Sequence, residues 1–291
     1  MDLIKNTGER ERNIAAVLTS DVKKDLHIHT CYSDGALTPQ EVVDRWMDEG
    51  YELIAVTDHD GIEGSIEGMS YAAGKDIRFI SGIEFDSEND LCKDLHVLGY
   101  GFDYNCREIR NALSQIRINR ARRNDALMAA LRAKGYRITL DDIGEINEGR
   151  YVGKPTFSQI LYKKGYTSDP QEAFNTVFTD PEIRSICKTT LQTRKVVDLI
   201  HAAGGLAIVS HPMEQRQKGE SFKEFSPRLY YILDRMREYG VDGIECHHPS
   251  ADDFQQELLC DYADRYGLLI TGGSDFHRDT GQRDFSRYHM P

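Results

Sequence analysis

The chain holds ten histidines, and most of them fall where short apolar runs end. Asp25-Leu26-His27-Ile28-His29-Thr30 is the first instance. In an extended segment, side chains two apart share a face, so His27 and His29 point the same way and form a chelating pair. Asp34 follows in the loop Ser33-Asp34-Gly35, and Thr57-Asp58-His59-Asp60 closes a second run. Ser81-Gly82-Ile83-Glu84 closes a third, and His96 lies within a fourth. Ser210-His211-Pro212 and Gly243-Ile244-Glu245 close two more. Last comes Gly272-Gly273-Ser274-Asp275-Phe276-His277, again two ligand types two positions apart. Any one of these pieces alone reads as a turn or a packed polar group. Together they put imidazoles and carboxylates repeatedly at the ends of apolar runs, the donor set that borderline divalent cations take.

The elements that must position them read as alternating strands and helices. Strands are expected at Asp25–Thr30, Glu52–Thr57, Arg78–Ile83, Leu95–Tyr100, Leu206–Ser210, Val241–Cys246 and Leu268–Thr271. Thr38-Pro39-Gln40-Glu41 is a capping box with proline in the first turn, Ser226-Pro227 opens another helix, and Gly204-Gly205 ends one running from about Thr193. Alternation implies parallel strands with function at their C-terminal ends, and this many strands favours a barrel over an open sheet. Residues 103–190 break the rhythm, opening with the basic stretch from Arg117 to Arg132 and showing no strand pattern. The expected organisation is an N-terminal extension at 1–20, barrel segments at 21–102 and 191–291, and a helical insertion at 103–190 over the barrel mouth.

Composition narrows the function classes. With 291 residues, 40% hydrophobic and 29% charged, the chain is not disordered, collagenous or disulfide-stapled. Asp plus Glu exceed Lys plus Arg by 48 to 36, a formal charge of −12. Bulk repulsion of that sign argues against tracking along long nucleic acids or docking on anionic membranes. A small anionic substrate stays open, because a local cluster of cations inverts the field within one cleft. The six cysteines include no C-x-x-C pair and read as reduced cytosolic thiols, with Cys246 in a buried strand and no role for His247. No apolar run approaches membrane-spanning length and the first twenty residues do not resemble a secretory signal, so a cytoplasmic protein is expected. The sequence does not speak to oligomeric state.

Asp25–Thr30, Thr57–Asp60, Gly82–Glu84, His96–Gly99, Ser210–Pro212 and Gly272–His277, in that order, resemble the successive motifs of the PHP (polymerase and histidinol phosphatase) family. The likeness is to its stand-alone, nucleotide-phosphoesterase-like branch and extends through Lys154-Pro155 and the stretch from Lys163 to Phe178. The resemblance implies an α/β fold, a distorted seven-stranded (β/α)7 TIM-like barrel with a helical insertion. It also implies two or three divalent ions (Mn²⁺, Zn²⁺ or Fe²⁺). One would take His27, His29, Glu84 and Asp275; a second would share Glu84 as a bridge and add His96 and His211; a third would take Asp34, His59 and His277. The implied reaction is hydrolysis of a small phosphate ester by a metal-bound hydroxide. The substrate would be a nucleotide, a nucleoside bisphosphate, an oligonucleotide end or a cyclic phosphate.

Asp58, Asp60 and His248 are candidates to orient groups or carry protons, and Arg120, Arg122, Arg123 and Lys154 form the candidate phosphate clamp. Lys154 stands where the branch usually has arginine and Thr156 where it more often has histidine, which bears on substrate preference. Two other readings are an amidohydrolase-like deaminase or amide hydrolase, which shares the opening His-x-His, and a non-catalytic metal-binding module. Glu84, in place of a bridging lysine, speaks against the first. The complete ligand set speaks against the second.

Overall fold

The computed structural model describes residues 3–147 and 151–279. In chain order the first elements are α1 (Leu3–Leu18), β1 (Lys24–Ile28), α2 (Pro39–Asp48), β2 (Leu53–Val56), α3 (Glu63–Ala72), β3 (Arg78–Phe79), β4 (Gly82–Glu88) and β5 (Leu95–Tyr100). Helices α4 (Arg107–Ala133), α5 (Leu140–Asn147), α6 (Lys154–Lys163), α7 (Pro170–Asn175) and α8 (Pro181–Ser185) follow. The chain then returns through β6 (Leu191–Gln192), α9 (Thr193–Ala202), β7 (Leu206–Val209), α10 (Phe222–Glu238), β8 (Gly243–His247), α11 (Asp253–Tyr266) and β9 (Leu269–Gly272). None of the described helices is long and apolar enough to cross a membrane.

Local chemistry accounts for most boundaries. β2 and β7 are uninterrupted apolar runs, Leu-Ile-Ala-Val and Leu-Ala-Ile-Val, and every residue in both is buried, as strands covered on both faces require. At α2, Thr38 accepts from the Glu41 amide while the Glu41 side chain bonds back to the Thr38 backbone, and Pro39 sits in the first turn. The helix buries Val42, Val43 and Trp46 against Ile54, Val56 and Phe276. Helix α10 departs from the expected start at Ser226-Pro227. It begins at Phe222 under a Ser221–Glu224 capping box, and Pro227 lies inside it. Ser221-x-x-Glu224 was the stronger start signal. Pro227, the sixth helical residue, lies past the orphan donors of the first turn and removes one i→i−4 bond, whose acceptor Lys223 O takes the Ser226 hydroxyl at 3.5 Å.

The strands form a three-stranded sheet in the order β1-β2-β3 and a six-stranded sheet in the order β6-β4-β5-β7-β8-β9. The expected seven-stranded barrel is therefore not closed by continuous strand pairing. Single bridges, Ile28 to Phe276 and His59 to Glu84, stand where the two sheets meet. Both fall at the residues that carry the histidines, where the backbone leaves regular pairing to aim side chains. The strand expected at Arg78–Ile83 is split into β3 and β4. β5 also corrects the all-parallel expectation: it runs antiparallel to both β4 and β7. This reversal places His96 opposite Asp86.

Residues Asn111–Thr190 form a compact unit separate from the one that carries the sheets. Its described residues contain only helices, and they pack around Leu127, Leu131, Phe157, Leu161 and Ile183. The sheet-bearing unit has its own cores, one around Leu26, Leu53, Leu98 and Tyr100 and another around Ile28, Trp46 and Phe276.

Candidate metal centre

At the C-terminal end of β1 the histidine pair meets Glu84, the third residue of β4, and Asp275 in the loop after β9. The Nε2 atoms of His27 and His29 lie 3.1 Å apart. Glu84 Oε2 is 3.4 and 3.3 Å from them, and Asp275 Oδ1 is 3.4 and 3.2 Å from them. The other oxygen of the same carboxylate faces a second group: Glu84 Oε1 is 3.1 Å from His96 Nδ1 and 2.9 Å from His211 Nε2, which are 3.3 Å from each other. A third, looser group surrounds Asp34, with His277 Nε2 at 3.3 Å, His29 Nδ1 at 3.6 Å and His59 Nε2 at 4.0 Å. All nine sequence candidates for metal ligation thus gather in one place.

These distances fit cations better than they fit hydrogen bonds. Donors about 2.0–2.1 Å from a shared ion sit roughly 3.0–3.4 Å from one another in tetrahedral or octahedral shells. Among the described residues, Glu84 Oε2, His59 Nδ1, His96 Nε2, His211 Nδ1 and Asp34 Oδ1 are buried with no hydrogen-bond partner. Orphaned buried polar atoms are costly. Glu84 Oε2 and Asp34 Oδ1 belong to the first and third groups, whereas His96 Nε2 and His211 Nδ1 are the ring nitrogens opposite those that face Glu84. The mixed imidazole and carboxylate set suits Zn²⁺, Mn²⁺ or Fe²⁺.

Other side chains hold these donors in place. Glu245 Oε1 lies 2.9 Å from His27 Nδ1, and Glu245 Oε2 accepts from the His211 amide at 2.8 Å. With His27 Nδ1–H donating to Glu245, the Nε2 lone pair is left for ligation. Ser210 Oγ donates to Glu84 Oε1 at 2.8 Å. Asp25 accepts from Ser274 N at 2.9 Å and Trp46 Nε1 at 2.8 Å, fastening β1 to the loop after β9. At Gly273 a Cβ would stand 2.3 Å from His27 Cβ, so only glycine lets that loop pass. Asp60, His211 and Asp275 adopt positive φ values of 49°, 24° and 49° without being glycine. Such strain is characteristic of sites whose surroundings over-determine the backbone.

Of the three candidates for proton transfer, two hold the backbone. Asp58 is buried and accepts from Thr30 N at 2.8 Å, Thr30 Oγ1 at 2.7 Å and Ser33 Oγ at 2.5 Å, shaping the loop that carries Asp34. Asp60 accepts from the Asp86 amide at 3.2 Å, and its own amide donates to Glu84 O at 2.8 Å. His248 stands closer to the ligands, with Nε2 3.4 Å from Asp275 Oδ2 and Nδ1 2.7 Å from Ser250 Oγ. Two residues were not singled out from the sequence. Glu245 closes a strand but had no assigned role. Asp86, 3.4 Å from His59 Nδ1 and 3.2 Å from His96 Nε2, lies two positions past Glu84 on the same face of β4, and that spacing was its signal.

Burial penalises every charge here, yet the opposing charges outweigh it. Glu84 and Asp275 are held well below the usual carboxylate range, chiefly by His27. Against the same burial, Asp275 and Glu84 push His29 up to about 10. At neutral pH the metal-free His29 therefore carries a proton that ligation must displace. Divalent-ion binding is expected to release protons and to tighten as pH rises from 6 to 9. Calorimetry in two buffers of different ionisation enthalpy measures this directly, and uptake of protons or none exchanged would contradict it.

Arg120, Arg123 and Lys154 lie in the helical unit. The Arg120 guanidinium sits 4.3 Å from the Tyr151 ring centre. Lys154 opens α6, and burial, then Arg123, Lys188 and Arg184, lower its ammonium pKa. The helical unit thus concentrates positive charge around Lys154.

Residues 25–201 match the family profile of the PHP domain. A 3′,5′-nucleoside bisphosphate phosphatase from Chromobacterium violaceum is 30% identical over 267 residues, covering 89% of this chain and 91% of that protein. A 5′-3′ exoribonuclease from Haemophilus influenzae is 28% identical over 259 residues, with 89% and 91% covered. Among solved structures, one described as an amidohydrolase from Chromobacterium violaceum, with bound sulfate and no metal, superposes with a TM-score of 0.76. It has 29% identity and 89% of each chain is covered.

Proposed function

The chain belongs to the PHP domain family and is a phosphoric ester hydrolase, and from this premise we propose that it uses two or three divalent ions to cleave a terminal phosphate from a nucleotide-type ester. The observation that carries the reading is the Glu84 carboxylate, one oxygen turned to His27 and His29 and the other to His96 and His211. In this reading His27, His29, Glu84 and Asp275 hold one ion, Glu84, His96 and His211 a second, and Asp34, His59 and His277 a third. Bound there, such ions lower the pKa of water and neutralise charge developing on a phosphoryl group. Glu245 fixes the His27 tautomer, and Ser210 steadies the shared carboxylate. His248, beside Asp275, is the group we assign to deliver a proton to the leaving alkoxide. The same arrangement supports a phosphoesterase over an amide hydrolase, because the side chain between the two donor groups is a carboxylate.

The named activities of the two relatives support nucleoside bisphosphates and oligonucleotide ends as the substrate class. A formal charge of −12 leaves an end phosphate within that class and disfavours a long polymer track. We assign phosphate contact to Lys154 with Arg123 and Arg120. Lys154→Ala is expected to raise KM about tenfold, with kcat changed less, since a charge-assisted hydrogen bond is worth roughly 1.5–3 kcal/mol. An unchanged KM would remove Lys154 from the clamp.

The whole reading is tested by adding Mn²⁺ and assaying nucleoside 3′,5′-bisphosphates, mononucleotides, 5′-phosphorylated RNA oligomers, cyclic phosphates and amides side by side. Phosphate release from the first two, or release of phosphate or mononucleotides from the RNA oligomers, supports it. Amide turnover without phosphate release, or no turnover of any ester by metal-replete protein, would overturn it.

A further inference from the structure

Behind β8, on the side facing α11, lies a group of reactive side chains that the metal centre does not use. Cys260 Sγ is 3.8 Å from His247 Nε2, and His247 Nδ1 is 2.9 Å from Gln256 Oε1. The Gln256 amide nitrogen donates to Ala251 O at 3.0 Å, which turns its oxygen toward the ring. His247 Nδ1–H therefore donates to Gln256, and Nε2 faces the thiol as a base. Nucleophile, base and orienting amide stand in the sequence that activates cysteine in general. A second thiol adjoins the group: Cys246, buried on β8, directly precedes His247, and α11, which carries the partly buried Cys260, packs against β8.

We propose that Cys260 and Cys246 form an oxidant-sensitive dithiol that peroxide converts to an intramolecular disulfide, with Cys260 attacking and Cys246 resolving. Cys246 and then His247 hold Cys260 below the ordinary thiol range against burial and Asp264, while Cys260 and then burial raise Cys246. His247 is correspondingly raised, first by Cys260, with Lys24 opposing. The thiolate, the reactive form, thus resides on the sulfur that solvent reaches.

The chemistry balances with hydrogen peroxide as the only co-reactant. Cys260 Sγ attacks one peroxide oxygen, the O–O bond breaks, and the departing hydroxide takes the proton held on His247, leaving a sulfenic acid. Cys246 Sγ then attacks that sulfur, the S–O bond breaks, and hydroxide leaves with the Cys246 proton as a second water. Two thiols are oxidised, and both peroxide oxygens are reduced.

Cys187 provides the discriminating control, because it is the exposed thiol of the six. Were exposure alone to govern reactivity, limiting peroxide would modify Cys187 first. Treating the manganese-loaded, full-length protein with less than one equivalent of hydrogen peroxide, then mapping peptides without reductant, decides between the two. The expected result is a Cys246–Cys260 linked peptide that forms ahead of any Cys187 product and disappears with dithiothreitol. Cys260→Ser should lose the link and leave Cys246 unmodified, and His247→Gln should slow its formation at neutral pH. Prior oxidation of Cys187, or Cys260 ending as sulfinic acid beside an intact Cys246 thiol, would overturn the proposal. Because the readout is a peptide mass, failure here is distinguishable from failure of the phosphoesterase reading.

Discussion

Glu84→Gln should abolish metal-dependent turnover in a way that excess metal does not rescue. Glu84 is wholly buried, and its two oxygens serve two donor groups, Oε2 toward His27 and His29 and Oε1 toward His96 and His211. Glutamine keeps the shape but offers one oxygen and one amide nitrogen. Whichever way it turns, one group loses its anionic donor and gains N–H bonds pointing where a cation would sit. It also removes the negative charge that would offset repulsion between two neighbouring cations. Loss of one preorganised electrostatic contributor costs on the order of 10²–10³ in rate, and loss of an ion should reach at least the upper end. Metal content by mass spectrometry and kcat/KM measured together are the check. Full occupancy with normal turnover would remove Glu84 from its bridging role.

Glu245→Gln should behave differently, and the contrast is informative. Glu245 is buried, with one oxygen on His27 Nδ1 and the other on the His211 amide. It orients two ligands that belong to different donor groups without standing at either focus. Its glutamine variant satisfies one partner and sets an N–H against the other, so the His27 ring loses its fixed tautomer or β7 loses its anchor. Removing such a supporting partner typically weakens metal affinity about 10–100-fold. Turnover should recover as Mn²⁺ is raised, because the ligands themselves remain. An unaltered metal titration would show that the ring is oriented by packing alone. A loss that no metal concentration restores would make Glu245 a ligand.

The site was more legible in the sequence than the sheet that carries it. Ligand types at the ends of apolar runs are a local pattern, and the period of two in His27-x-His29 reports a shared face directly. Asp275-x-His277 has the same spacing but lies past β9, with Asp275 at a φ of 49°. Strand direction is not local. Nothing in Leu95–Tyr100 distinguishes a strand that follows its neighbours from one that opposes them, and the reversal of β5 appears only in the pairing. The missing barrel closure has a similar origin, since the single bridges at Ile28 and His59 depend on how the loops after β1 and β2 bend. Asp86 was readable in principle as the next inward position after Glu84. The work of Glu245 was not, because its partners lie 218 and 34 positions away. His247 carried no role in the sequence for the same reason: its partners, Cys260 and Gln256, come from the following helix.

A carboxylate divided between two donor groups has a thermodynamic consequence. If two ions share Glu84 as proposed, the position it adopts for one occupant is part of the site offered to the other, and the two loading equilibria are linked. By reciprocity, the factor by which the first ion changes affinity for the second equals the factor by which the second changes affinity for the first. Two different cations competing for the pair would each report on the other's identity through the affinity they leave behind.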